Sequence, residues 1–135
     1  MNTIWPDTWE RRQTTIVAAF EQLVERVRLR VPELVARNGT SANAVKPIHI
    51  VRSFALPSKH DDAVVLSAMF TFFGGTLMVH CDLMKEDGPI LRDMGSVDLG
   101  TPPNDDEIDA VVADVVAFAG TSEDEIVANL EAQRE

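Results

Sequence analysis

Two consecutive glycines, Gly74 and Gly75, divide a long apolar region, and they leave the chain little choice there. Neither carries a Cβ, so both accept the positive φ angles of a tight two-residue hairpin turn. The flanking segments, Ala63 to Phe73 and Thr76 to Met84, then become antiparallel strands with a defined register. Phe73 faces Thr76, Phe72 faces Leu77, Phe70 faces Val79, Ala68 faces Cys81 and Leu66 faces Leu83. The pairs from Phe72–Leu77 to Leu66–Leu83 share one wholly apolar face, which must be core, because side chains alternate across a strand. Cys81 lies in it and reads as a small buried hydrophobe.

The opposite face has another character. It pairs Thr71 with Met78, Met69 with His80, Ser67 with Asp82 and Val65 with Met84. Neighbouring strands would add Val51, Ser53 and Ala55, or Arg92 and Met94. Four of the five methionines fall in predicted strands, and three of those point this way. Methionine adapts its shape to varied partners, so this face is a candidate contact surface unless a helix of the same chain covers it.

Around the hairpin the period of the apolar pattern changes. Asp7 and Glu10 suit the start of a helix. Apolar residues at Ile16, Phe20, Leu23, Val24, Val27, Val31, Leu34 and Val35 then follow helical spacing. Pro32 predicts a kink, and Asn38-Gly39 a stop. Thr40 to Lys46 reads as a loop. From Ile48 to Leu56 the period is two, and Pro57 ends that strand. Glu86-Asp87-Gly88-Pro89 is a turn before a fourth strand, Ile90 to Leu99.

After Thr101-Pro102-Pro103-Asn104, the acids Asp105, Asp106 and Glu107 fill the first turn of a helix, where its dipole favours them. Ile108, Val111, Val112, Val115, Val116 and Ala119 form its stripe, and Gly120 stops it. Ser122 with Glu125 predicts a capping box for a last helix carrying Ile126, Val127 and Leu130. The expectation is a single α+β domain over residues 1–135, in the order α-β-β-β-β-α-α. It would be a four-stranded antiparallel meander with a long N-terminal helix and two C-terminal helices packed on it.

Charge narrows the function. The chain carries a net charge of −10, and residues 101–135 hold ten acids against the single base Arg134. That balance argues against nucleic acid as a partner. The basic first helix, with Arg11, Arg12, Arg26, Arg28, Arg30 and Arg37, is expected to pair partly with the acidic tail. The longest apolar region, Ala63 to Val79, is interrupted by polar residues and glycines, so no membrane span is expected. A lone cysteine and the lack of a signal-like N-terminus favour the cytoplasm.

No phosphate-binding loop, His-Glu-x-x-His, Cys-x-x-Cys or Gly-x-Ser-x-Gly motif occurs, and no catalytic residue or cofactor is implied. Ser67, His80 and Asp82 are neighbours on one face, but flat sheet positions supply no oxyanion donors. His49 joins His80 in a candidate metal site only if the first and third predicted strands are adjacent. The reading is a non-enzymatic, protein-binding domain, of inhibitor or immunity type or a small chaperone or adaptor. Its partner is another, possibly basic, protein or a second copy in a homodimer. The residues assigned to that contact are Met69, Met78, His80, Asp82 and Met84, with Asp105, Asp106 and Asp109 of the acidic helix. The alternative is a small-molecule site or enzyme, with a cavity between sheet and helix around His80 and Asp82, lined also by Ser67, Met69 and Arg92.

Overall fold

A computed structural model describes residues 9–41, 48–73, 75–99 and 104–134. Helix α1 (Trp9–Arg30) leads into strands β1 (Val35–Ser41) and β2 (Ile48–Ala55). A single 3-10 turn (His60–Asp62) precedes β3 (Val64–Phe73), β4 (Thr76–Lys85) and β5 (Ile90–Leu99). Helices α2 (Asp105–Gly120) and α3 (Glu123–Ala132) follow. The strands form one antiparallel sheet in the order β1-β2-β3-β4-β5. The α+β class and the meander hold, with five strands in place of the four expected.

The extra strand comes from the stretch assigned to the end of the first helix. Proline has no N–H and disfavours helical backbone in the residue before it, so Pro32 ends the helix rather than kinking it. The chain turns tightly, with the Leu34 N–H bonded to the Val31 carbonyl at 3.0 Å. Val31 and Leu34 stay buried in that turn. Val35 to Ser41 then pair along their whole length with β2. Asn38-Gly39 therefore lies inside an edge strand and stops no helix. Asp7 lies outside the described residues, as does most of the expected loop up to Lys46.

The hairpin register is as derived. Phe73 pairs with Thr76, Phe70 with Val79, Met69 with His80 and Ser67 with Asp82. Gly75 takes φ +82°, as the turn requires; Gly74 lies outside the described residues. The next turn closes where expected, with the Gly88 N–H bonded to the Lys85 carbonyl.

All three helices pack on the face that carries Phe70 and Val79. From α1 come Ile16, Phe20, Leu23 and Val27, spaced to keep one stripe inward. They meet Ile50, Phe54, Leu66 and Phe70 of the sheet, together with Val111 and Val115 of α2 and Ile126 and Leu130 of α3. The Trp9 ring meets Phe70 edge-on at 5.0 Å. Cys81 is fully buried in this core, and burial pushes its thiol up to about 12, so it is inert at neutral pH.

Helix starts are set by local chemistry. Asn104 caps α2: its side chain accepts from the Glu107 N–H at 2.8 Å, and the Glu107 side chain accepts from the Asn104 N–H at 3.0 Å. At α3 the expected Ser122–Glu125 box does not form. The Ser122 hydroxyl instead donates to the Phe118 carbonyl at 2.7 Å and accepts from Arg92 at 3.1 Å. The α2–α3 corner and the Arg92 side chain claim it first.

Ion pairs tie α1 to the acidic tail. Buried Arg12 donates to Asp109 at 2.7 Å and to Asp105 at 3.1 Å. Arg26 and Arg30 both reach Glu123, and Arg30 also reaches Asp124. Arg134 grips Glu33 with two bonds of 2.9 Å. The Arg12 hydrogen bond holds Asp109 below the usual carboxylate range; Arg30, then Arg26, does the same for Glu123. No helix among the described residues is long and apolar enough to cross a membrane.

Candidate functional site

The helices leave the second face of the sheet open. On β3 and β4 the side chains of Val65, Ser67, Met69 and Thr71 alternate with core residues, as do those of Met78, His80, Asp82 and Met84. Met78 is 48% exposed, although methionine is usually among the buried residue types. Ile90, paired with Met84 at the β5 edge, is 53% exposed. The five site residues assigned to the sheet thus come together on one surface. Among the described residues, no helix lies over them.

Two expected members are missing. Arg92 and Met94 turn to the helix side, because β5 carries two irregularities in its pairing with β4. Cys81 pairs with Gly95 while Asp82 pairs with Asp93, so Met94 is one residue too many. Leu91 is a second such residue, between Arg92 and Ile90. Each insertion reverses the alternation locally. Met94 and Leu91 then pack against the core. Arg92 donates to the Thr121 carbonyl and lies 4.5 Å over the Phe118 ring. Gly95, at φ +84°, absorbs the distortion.

The same irregular pairing assembles a group that sequence reasoning did not put together. His80 stands opposite Ser96, with Nδ1 3.1 Å from the Ser96 hydroxyl. Its Nε2 lies 3.1 Å from Asp82 and 3.7 Å from Asp93. An ionised carboxylate can only accept, so in the neutral ring Nε2 carries the hydrogen and Nδ1 accepts from Ser96. Asp82 and Asp93 face each other across the strands, and like charges so placed repel. The His80 ring lies between the two carboxylates. The signal for Ser96 was hidden, because its register depends on the extra residue Met94.

Ser96, His80 and Asp82 have the residue types of a nucleophilic triad but not its surroundings. They lie side by side on an open sheet, and the described helices, whose N-termini could supply oxyanion donors, pack on its other face. His80 and Asp82 are on the open face while the helices occupy the other. The cavity expected between sheet and helix therefore does not include them. A shallow groove of about 290 Å³ does run beside His80, lined by Met69, Thr71, Met78 and Ser96. Strand β3 separates β2 from β4, so His49 and His80 are not on adjacent strands, which is the condition their metal site needed. Among the described residues, no group of three or more His, Cys, Asp or Glu side chains is placed to hold a metal ion.

The acidic candidates sit elsewhere. Asp105 and Asp109 hold Arg12 and remain largely exposed, and Asp106 is exposed one residue along α2. They belong to the helical layer, on the far side of the core from the methionines. No family model, curated protein or solved structure matches the chain. The geometry of the two surfaces therefore carries the functional argument.

Proposed function

We propose that the chain is a non-catalytic protein-binding domain that takes its partner on the open face of the sheet. The observation that supports this reading is the half-exposed row of Met69, Met78 and Met84, interspersed with Val65, Thr71 and Ile90 and left uncovered by the described helices. A row of half-exposed apolar side chains on an uncovered sheet face suits a contact surface. Inhibitor, immunity-type and small chaperone or adaptor roles all use such a face. The acidic surface of α2 serves this reading as a secondary element, because Arg12 already takes up part of its charge.

Site-specific photo-crosslinking tests the reading. A crosslinker at Met78, in the source cell, is expected to give one discrete protein adduct that the same crosslinker at Leu29 of α1 does not give. Equal, diffuse labelling from both positions would sink the proposal. A second reading is favoured by the groove beside His80 and the Ser96–His80–Asp82 chain, namely a small-molecule site. It predicts stabilisation by a metabolite that is lost in Met69→Glu.

A further inference from the structure

The open face has a pattern of charge that a one-sided partner would not require. Its middle strand, β3, presents Val65, Ser67, Met69 and Thr71, none of them charged. To one side lie Arg37 of β1, which shares this face through its pairing with Ser53, and exposed His49 of β2. To the other side lie His80 and Asp82 of β4 and Asp93 and Asp98 of β5. The face thus carries Arg37 at one edge, three aspartates towards the other, a histidine on each side and no charged side chain along its centre line. A basic partner would call for acid alone. Opposite signs about a neutral centre line are what an isologous two-fold interface needs, because the rotation lays each edge on its opposite.

We propose that a second copy of the chain docks on this face, about a two-fold axis running along β3. This rests on the reading of the open face as a protein interface and names its occupant. Rotation about that axis lays β1 of one copy over β5 of the other and β3 over β3. Arg37 and Asp93 lie one step apart in the ladder: Arg37 is in line with Ser53, Val65, Met84 and Ile90, and Asp93 is in the next row with Asp82. The rotation preserves position along the strands, so Arg37 meets the second copy's Asp93 within the reach of an arginine. Val65 and Met69 meet their own counterparts, and methionine's flexible chain suits such self-contact.

The area is sufficient. Five strands spaced by ~4.8 Å, seven to ten residues long at ~3.3 Å per residue, make a patch roughly 20 Å wide and 25 Å long. Two such patches remove on the order of 1,000 Å² of surface in total, which is the lower bound for a specific interface and the size class of weak, reversible association. Sheets pack face to face at about 10 Å with their strands nearly aligned, and the proposed axis gives that arrangement.

The test is sedimentation equilibrium of the full chain across the micromolar range, with circular dichroism to confirm folding of each variant. Wild type is expected to approach twice the monomer mass at the highest concentrations. Met69→Arg places two like charges on the axis and is expected to give a monomer throughout. Arg37→Glu and Asp93→Arg are each expected to weaken the dimer about tenfold or more. An equimolar mixture of those two variants is expected to dimerise again. In the mixed dimer one contact joins the two substituted side chains, with their charges exchanged, and the other joins the native Arg37 and Asp93. A wild type that stays monomeric overturns the proposal. So does a dimer indifferent to Met69→Arg, or two weakened variants that do not restore each other.

Peroxide oxidation of Met69 and Met78, followed by mass spectrometry, separates this failure from failure of the broader reading. Suppose the purified protein is monomeric and both methionines are protected only in an extract of the source cells. Another protein then covers the face, and the homodimer alone is lost. If they oxidise equally fast in both settings, the protein-binding reading is lost too.

Discussion

The covered and open faces of the sheet are made by the same strands, residue by alternate residue, yet they obey different rules. On the covered face, Ile50, Phe54, Leu66 and Phe70 are completely buried, and the one charged side chain there on β2, Arg52, meets Glu21 of α1 at 2.6 Å. On the open face, methionines sit among Ser67, His80, Asp82 and Ser96, and most side chains keep part of their surface in water. The first face is shaped by packing density, so any change of volume is felt. The second is shaped by adaptability, so single changes cost the fold little and should cost a contact more.

The sharpest way to break that comparison is a pair of neighbours. Phe70→Ala is expected to lower unfolding stability by about 3–5 kcal/mol in urea titrations, because the surrounding core cannot close the cavity. Met69→Ala, one residue away on the other face, is expected to cost less than about 1 kcal/mol. Equal losses would mean that the open face is core in all but name. Next in size is Arg12→Ala, expected to cost about 2 kcal/mol by the same titration, since charge-assisted bonds to two acids of α2 are lost. A negligible change would mean that apolar packing alone sets the α1–α2 geometry.

Gly95→Ala is expected to cost about 1 kcal/mol. An added Cβ would meet nothing within 4 Å, so the cost is conformational strain at φ +84° alone. Thermal melts would show it, and NMR shifts of His80 and Ser96 would show whether the β4–β5 irregularity moves with it. Acid provides a further comparison. Asp109, Glu123 and Glu33 are all held below the usual carboxylate range by arginines. Groups depressed in the folded state contribute stability that is complete above the unfolded value, near about 4, and is lost as pH falls through the folded value. Melting temperature is therefore expected to be flat above about pH 5 and to drop below about pH 4, with a shallower drop in Asp109→Asn. The smallest expected effect is Met78→Ser, within about 0.5 kcal/mol, which would leave the fold intact while removing half-exposed apolar surface.

Much of the sheet was legible because its signals are local. A Gly-Gly turn between two alternating runs defines ten residue pairs at once, from Phe73↔Thr76 down to Val64↔Lys85. The methionine face followed from that register. What escaped was less local. Val31, Leu34 and Val35 continue a helical spacing by coincidence, and only the backbone restriction at Pro32 separates helix from strand. Nothing in the sequence marks Leu91 and Met94 as extra residues of β5, so alternation alone puts Arg92 and Met94 on the wrong face and leaves Ser96 unmatched to His80. Ser122 had the right neighbours for a capping box, but Phe118 and Arg92 compete for its hydroxyl.

For β2, β3 and β4 the sequence by itself determined which residues share a face, because alternation along a strand and a two-residue turn are near-neighbour geometry. It could not determine whether the helices would cover the second face as well. That choice depends on where three helices dock, and their docking rests on contacts between residues far apart in the chain, such as Arg12 with Asp109 and Arg26 with Glu123. Both faces of the hairpin are apolar enough to attract a helix. The tertiary structure decided between them, because the face with Phe70 and Phe54 offers a continuous dry surface, whereas covering the other would bury His80, Asp82 and Asp93 at a desolvation cost that no described helical side chain is placed to offset.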